Sequence, residues 1–188
     1  MEKPKAGDTS KKKDSSLRLR LGLAAVLAVG LILWIVLRDD DDSSNSSSGA
    51  AEIVSVDSLR DAAAEQDTPV YWAGERVGTE LELSQPDEDR VYVRYLTGGA
   101  KAGDPRPDFL TVGTYANPKA VAALQRQGRE PGGVLGEAPG GATVYFSRTQ
   151  PESVYLAYPG TDVEIEIYDP NFKRALQLAN SGQIVAAE

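Results

Sequence analysis

Asp162, Glu164 and Glu166 place three carboxylates two residues apart, on one side of an extended segment. Two carboxylates roughly 5–10 Å apart across a cleft can act as acid and base in glycoside hydrolysis, and carboxylates can also hold calcium. Val163, Ile165 and Ile167 alternate with them, which is the pattern of a strand buried on one face and solvated on the other. We therefore read the row as an outer sheet face, and read Glu80 and Glu82 the same way. No catalytic residue is assigned. The chain has no histidine and no cysteine. That excludes Ser-His-Asp and Cys-His chemistry, thiolate nucleophiles, disulfides and Cys-based zinc sites, and no metal or other cofactor is expected.

Tyrosine is the second residue type with chemical interest. In "VYVRYL" (Val91 to Leu96) and "VYLAYP" (Val154 to Pro159), Tyr92, Arg94 and Tyr155 point opposite to the neighbouring apolar residues. A sheet lined by tyrosines can bind sugar or peptide, because each ring joins apolar area to a hydrogen-bonding tip. Cross-strand aromatic packing explains the same pattern without a ligand. Two glycine-rich stretches, Thr97 to Pro107 and Pro131 to Ala142, match neither phosphate-binding glycine motif and read as mobile loops. The first carries Lys101 and Arg106, so it is the better place for a partner contact. The candidate binding set is Tyr92, Arg94, Tyr155, Lys101 and Arg106.

Positioning these residues requires an α+β domain. "PVYW", "VYVRY" and "VGTY" return in order as "TVYF", "VYLAY" and "IEIY". The tyrosines pair off as Tyr71 with Tyr145, Tyr92 with Tyr155, Tyr95 with Tyr158 and Tyr115 with Tyr168. "TELELS" (Thr79 to Ser84) supplies a further strand. Asn117-Pro118 and Asp169-Pro170 each read as a capping residue followed by proline at the first helical position. Gly128 and Gly182 read as helix stops. Another helix is expected over Ser55 to Gln66, and "QIVAA" (Gln183 to Ala187) as a last strand. The whole predicts an antiparallel-sheet domain over 51–188, built from a duplicated βββα-type unit. Its halves lie near 67–128 and 142–185, with the helices on one face.

The residues before this domain carry a different signal. Leu21 to Leu37 is free of charge, long enough as a helix to span roughly 26 Å, and Trp34 lies near one end. Residues 1–20 carry seven Lys/Arg against three Asp/Glu, whereas residues 51–188 carry twelve against twenty-one. The positive-inside rule then predicts a basic cytoplasmic tail (1–20), a transmembrane helix (21–38) and an exported remainder. Asp39 to Ala50, acidic and then serine-rich, reads as a flexible linker. Small residues at Ser48-Gly49-Ala50 lie more than ten residues beyond the apolar run, so the span reads as a retained anchor rather than a cleaved signal. The acidic exported part argues against a nucleic-acid partner. The partners expected are the lipid bilayer and an envelope polymer or another extracytoplasmic protein.

The phrases "PVYWAG", "RVYVRYL", "FLTVGTY" and "VYLAYPGTDVEIEIYDP" are similar to the extracytoplasmic α+β domains of uncharacterised single-pass membrane proteins of high-GC, actinobacterial-type bacteria. The resemblance implies an envelope location and carries no catalytic motif. A membrane-anchored binding domain is the function expected, with a carboxylate-dependent envelope hydrolase as the alternative.

Overall fold

The strictly alternating strand "VEIEIY" lies at the centre of the protein. In a computed structural model, residues 49–188 are described. The basic tail, the span expected over 21–38 and the linker to residue 48 lie outside the described residues. No helix among the described residues is long and apolar enough to cross a membrane. In chain order the elements are β1 (Glu52–Val54), α1 (Val56–Ala64), β2 (Tyr71–Trp72), β3 (Glu80–Asp87), β4 (Arg90–Leu96), β5 (Leu110–Ala116) and α2 (Ala120–Gln127). Then come β6 (Gly133–Ala138), a 3-10 turn (Pro139–Gly141), β7 (Ala142–Ser147), β8 (Gln150–Ala157), β9 (Val163–Tyr168), α3 (Phe172–Ser181) and β10 (Val185–Ala186).

Eight strands form one antiparallel sheet in the order β1-β3-β4-β5-β9-β8-β7-β6. Its middle seam pairs β5 with β9, so that Val112 faces Ile167, Gly113 faces Glu166 and Tyr115 faces Glu164. This register puts every aliphatic residue of β9 on one face. There Val93, Val112, Ile165, Ile167, Val154 and Leu156 are sealed from solvent. Leu59 of α1 and Ala175, Leu178 and Ala179 of α3 pack into the same cluster. The short β2–β10 pair lies on this face too. The Tyr71 amide donates to Thr114 Oγ1 of β5 at 3.0 Å, and the Tyr71 ring stacks on Tyr158 at 5.7 Å.

Several expectations need correction. The helices do not share one face. Small residues let α2 approach the other side of the sheet, where Ala120 and Leu124 meet Ala157 and Tyr155. "PVYW" and "TVYF" differ in place: β2 lies outside the main sheet, paired with β10, whereas β7 lies within it between β8 and β6. Asn117 and Asp169 are not helix caps. Each side chain accepts the amide two residues on, in an Asx turn that spans the proline, and the helices start later. Asn171 caps α3 by accepting the Lys173 amide, whereas Lys119 caps α2 without a side-chain bond. Gly182 does end α3 in the left-handed region, φ 72°. Gly128 does end α2, but in the right-handed region, and it makes room for the Leu135 side chain. The second glycine-rich stretch is the edge strand β6 with its turn, not a loop.

Candidate functional site

The polar face of the sheet collects most of the residues that could do chemistry, and buries them. Glu82 of β3 is 0% exposed and Arg94 of β4 is 3% exposed. Arg94 Nη1 donates to Glu82 Oε1 at 2.7 Å, and the Gly103 amide donates to Glu82 Oε2 at 2.6 Å. Arg94 Nη2 donates to the carbonyls of Asp104 and Arg106 at 2.8 and 3.2 Å. The Tyr168 hydroxyl donates to the Pro107 carbonyl at 2.8 Å. Phe109 lies under the guanidiniums of both Arg94 and Arg106. A buried charge persists only when paired and hydrogen-bonded. Here that pairing straps segment 97–108 across the sheet. Among the described residues Arg94 Nε and the Ser84 hydroxyl find no hydrogen-bond partner in their buried places, a residual cost of the arrangement.

A second buried group surrounds β9. Glu166, 1% exposed, accepts from Tyr115 at 2.6 Å, Ser153 at 2.6 Å and Tyr155 at 3.2 Å. Burial pushes its carboxyl up, against the three hydroxyl bonds that pull it down. Glu164, also 1% exposed, accepts from Asn117 Nδ2 at 3.0 Å. Burial raises its carboxyl to about 7, opposed by the Asn117 bond and helped by Glu166. Gly113 is what allows this geometry. A Cβ there would stand 3.1 Å from the Tyr115 ring and hydroxyl, so the bare glycine lets that ring lie over β5 and reach Glu166 on the next strand. Tyr92 meets the same ring edge-on at 5.8 Å.

The outer-face reading of the carboxylate row therefore fails. Asp162 is exposed, but Glu164, Glu166 and Glu82 are sealed inside. Alternation was read as "polar means wet", yet α2 and the strapped segment 97–108 cover the polar side. Of the predicted binding set, Tyr92, Arg94 and Tyr155 come together on this covered face and offer no open surface. Lys101 and Arg106 are exposed on segment 97–108, which is tied down rather than mobile. Arg106 folds back on Asp104 at 2.7 Å and holds that carboxyl down to about 2. Among the described residues no cluster of acidic side chains has the spacing to hold a metal ion.

An open site lies on the opposite face, where sequence reasoning placed none. A cleft of about 450 Å³ runs between the turn 73–79, the ends of β4 and β5, and α3, with Arg76, Tyr95, Asp108, Arg174 and Gln177 in its wall. Its shape is fixed locally. The Tyr95 hydroxyl accepts the Ala73 amide at 2.7 Å and donates to the Gly74 carbonyl at 3.2 Å, which holds the turn. Thr79 closes the same turn by donating through its amide and its hydroxyl to the Arg76 carbonyl. At the other wall Asp169 Oδ1 accepts from Arg174 Nη2 at 2.9 Å, from Arg174 Nε at 3.2 Å and from the Asn171 amide at 2.7 Å. Tyr95 and the Asp-Arg spacing of "DPNFKR" were visible in the sequence. That turn 73–79 would fold over them was not.

No protein-family model matches the chain, and no curated protein or solved structure is significantly similar to it.

Proposed function

We propose that the chain is a single-pass membrane protein whose residues 51–188 form a ligand-binding domain outside the cytoplasm, engaging its ligand through the cleft between turn 73–79 and α3. The observation that carries the binding reading is the contrast between the two faces. On the polar face Glu82, Arg94, Glu164 and Glu166 are covered and turned inward. At the cleft, Arg76 and Asp108 reach solvent with no ion pair among the described residues. Open, rigidly framed concavities with a few unspent polar groups are the usual form of ligand sites. The tether and its orientation rest on the uncharged run 21–37 and the basic residues before it.

A duplicated βββα unit accounts for the sheet order. β3-β4-β5 followed by α2, and β7-β8-β9 followed by α3, lie as mirror halves about the β5–β9 seam. Tyr92 and Tyr155 hold corresponding places, facing Gly113 and Glu166, which face each other. The two following helices take opposite faces, so the halves have diverged where the ligand would sit. The carboxylate row offered for a hydrolase does not serve this cleft: Glu164 and Glu166 do not line it.

The test is capture of envelope material by the detergent-solubilised full chain. Enrichment of one envelope component over a detergent-micelle control supports the reading. No enrichment of any envelope fraction contradicts it.

A further inference from the structure

The cleft has a charge pattern that narrows its ligand. Arg76 is half-buried, and its backbone carbonyl is occupied by Thr79, but its guanidinium makes no ion pair among the described residues. Arg174 spends Nε and Nη2 on one oxygen of Asp169, which leaves Nη1 over on a side chain 61% exposed. Asp108 is exposed on the same wall. Arg76 and Arg174 therefore line one space, with Asp169 neutralised locally and Asp108, whose nearest cationic influence is Arg106, in no ion pair among the described residues.

Guanidiniums bind carboxylates and phosphates through paired N–H donors. Asp108 decides between these anions. It disfavours a phosphate dianion more than a single carboxylate, and favours one accompanied by an ammonium group. Exposed Gln177 and Gln183 offer amide donors and acceptors along the wall, while Tyr95 and Leu178 give an apolar floor. The volume of about 450 Å³ lies within the roughly 300–1,000 Å³ of small-ligand sites.

We infer that the cleft binds the free carboxyl end of a short peptide, with Arg76 and Arg174 on the carboxylate and Asp108 on a peptide ammonium. This rests on the proposed binding reading and names its ligand class. The measurement is equilibrium dialysis of the full chain in detergent micelles against tri-alanine with free termini. Tri-alanine C-terminal amide and N-acetyl-tri-alanine serve as comparison probes. Saturable binding of tri-alanine is expected, weakened about tenfold by amidation and about tenfold by Arg76→Gln, the loss of one charge-assisted contact. Asp108→Asn should remove the preference for the free amine and leave the preference for the free carboxylate. Thermal melts of each variant guard against a folding defect, and exposed Asp108 supplies a second variant if Arg76→Gln melts early.

Absence of saturable tri-alanine binding overturns the inference. So does equal binding of the amide, or unchanged binding by a well-folded Arg76→Gln. In those cases envelope capture that persists in Arg76→Gln would leave the binding reading standing, whereas loss of all capture by the unaltered chain would remove both.

Discussion

Replacing Glu164 by glutamine should stabilise the domain at neutral pH and leave it unchanged in acid. The side chain is 1% exposed, its protein hydrogen-bond donor is Asn117, and its neighbours on the same face are Tyr115 and Glu166. Among the described residues no ion pair compensates it. A folded value of about 7 against an ordinary 4.5 means that the folded state holds the proton longer than the unfolded chain does. The linkage sign follows. Below the ordinary value both states are protonated and there is no penalty. Between 4.5 and about 7 the unfolded chain ionises first, so stability falls as pH rises. Above the folded value the loss is complete, roughly 3 kcal/mol at about 1.4 kcal/mol per pH decade. Glutamine cannot ionise and keeps the acceptor for Asn117. Glu164→Gln should therefore match the parent near pH 4 and exceed it by up to about 3 kcal/mol near pH 8. Glu166, also raised, leaves a slope of the same sign in both proteins, so the decisive quantity is the difference between them. The core lies wholly within the described residues, which makes urea unfolding of a 49–188 fragment at a series of pH values a suitable assay. A stability difference independent of pH would refute the reasoning. So would a variant less stable than the parent near pH 8.

Further substitutions at three places probe how the faces are built. Glu82→Gln removes the charge facing buried Arg94, so we expect a loss of about 3–5 kcal/mol and faster hydrogen exchange at the Gly103 amide; unchanged exchange would mean that the ion pair does not strap segment 97–108. Gly113→Ala should displace the Tyr115 ring from Glu166 and cost about 1–3 kcal/mol in urea unfolding, whereas Tyr115→Phe at an intact Gly113 should lose only the hydroxyl bond. On the edge strand, Gly133→Ala should destabilise, because its Cβ would stand 2.5 Å from the Gln127 carbonyl. Gly136→Ala, whose Cβ meets nothing closer than 3.8 Å, should be neutral or stabilising in the same melts.

The strands were legible because their periods are strong. "VEIEIY" and "RVYVRYL" announce their faces residue by residue, and Ser55 marks the start of α1 by accepting the Ser58 amide. What was not legible is which face is covered. Strand alternation separates two sides of a sheet but does not say whether the polar side meets water, and α2 and segment 97–108 settled that through long-range contacts. The same limit hid the role of Gly113, since "VGTY" gives no hint that its neighbour's ring must fold over it. β6 was missed because five glycines in "PGGVLG" and "EAPGG" outweigh Val134 and Leu135 in any local reading. The strand is held by its ladder to β7. The cleft was missed because its walls come from three separated segments, near residues 76, 108 and 174, that only the folded chain brings together.

The account stands or falls on where residues 51–188 reside. The chain has no cysteine, and Val77, at the tip of the turn beside the cleft, is fully exposed. Val77→Cys therefore gives one reactive thiol on the domain, and a membrane-impermeant maleimide can report its side of the membrane in intact cells. We predict labelling of intact cells as complete as that of lysed cells, on a chain of full-length mass. Labelling that appears only after lysis would contradict the account.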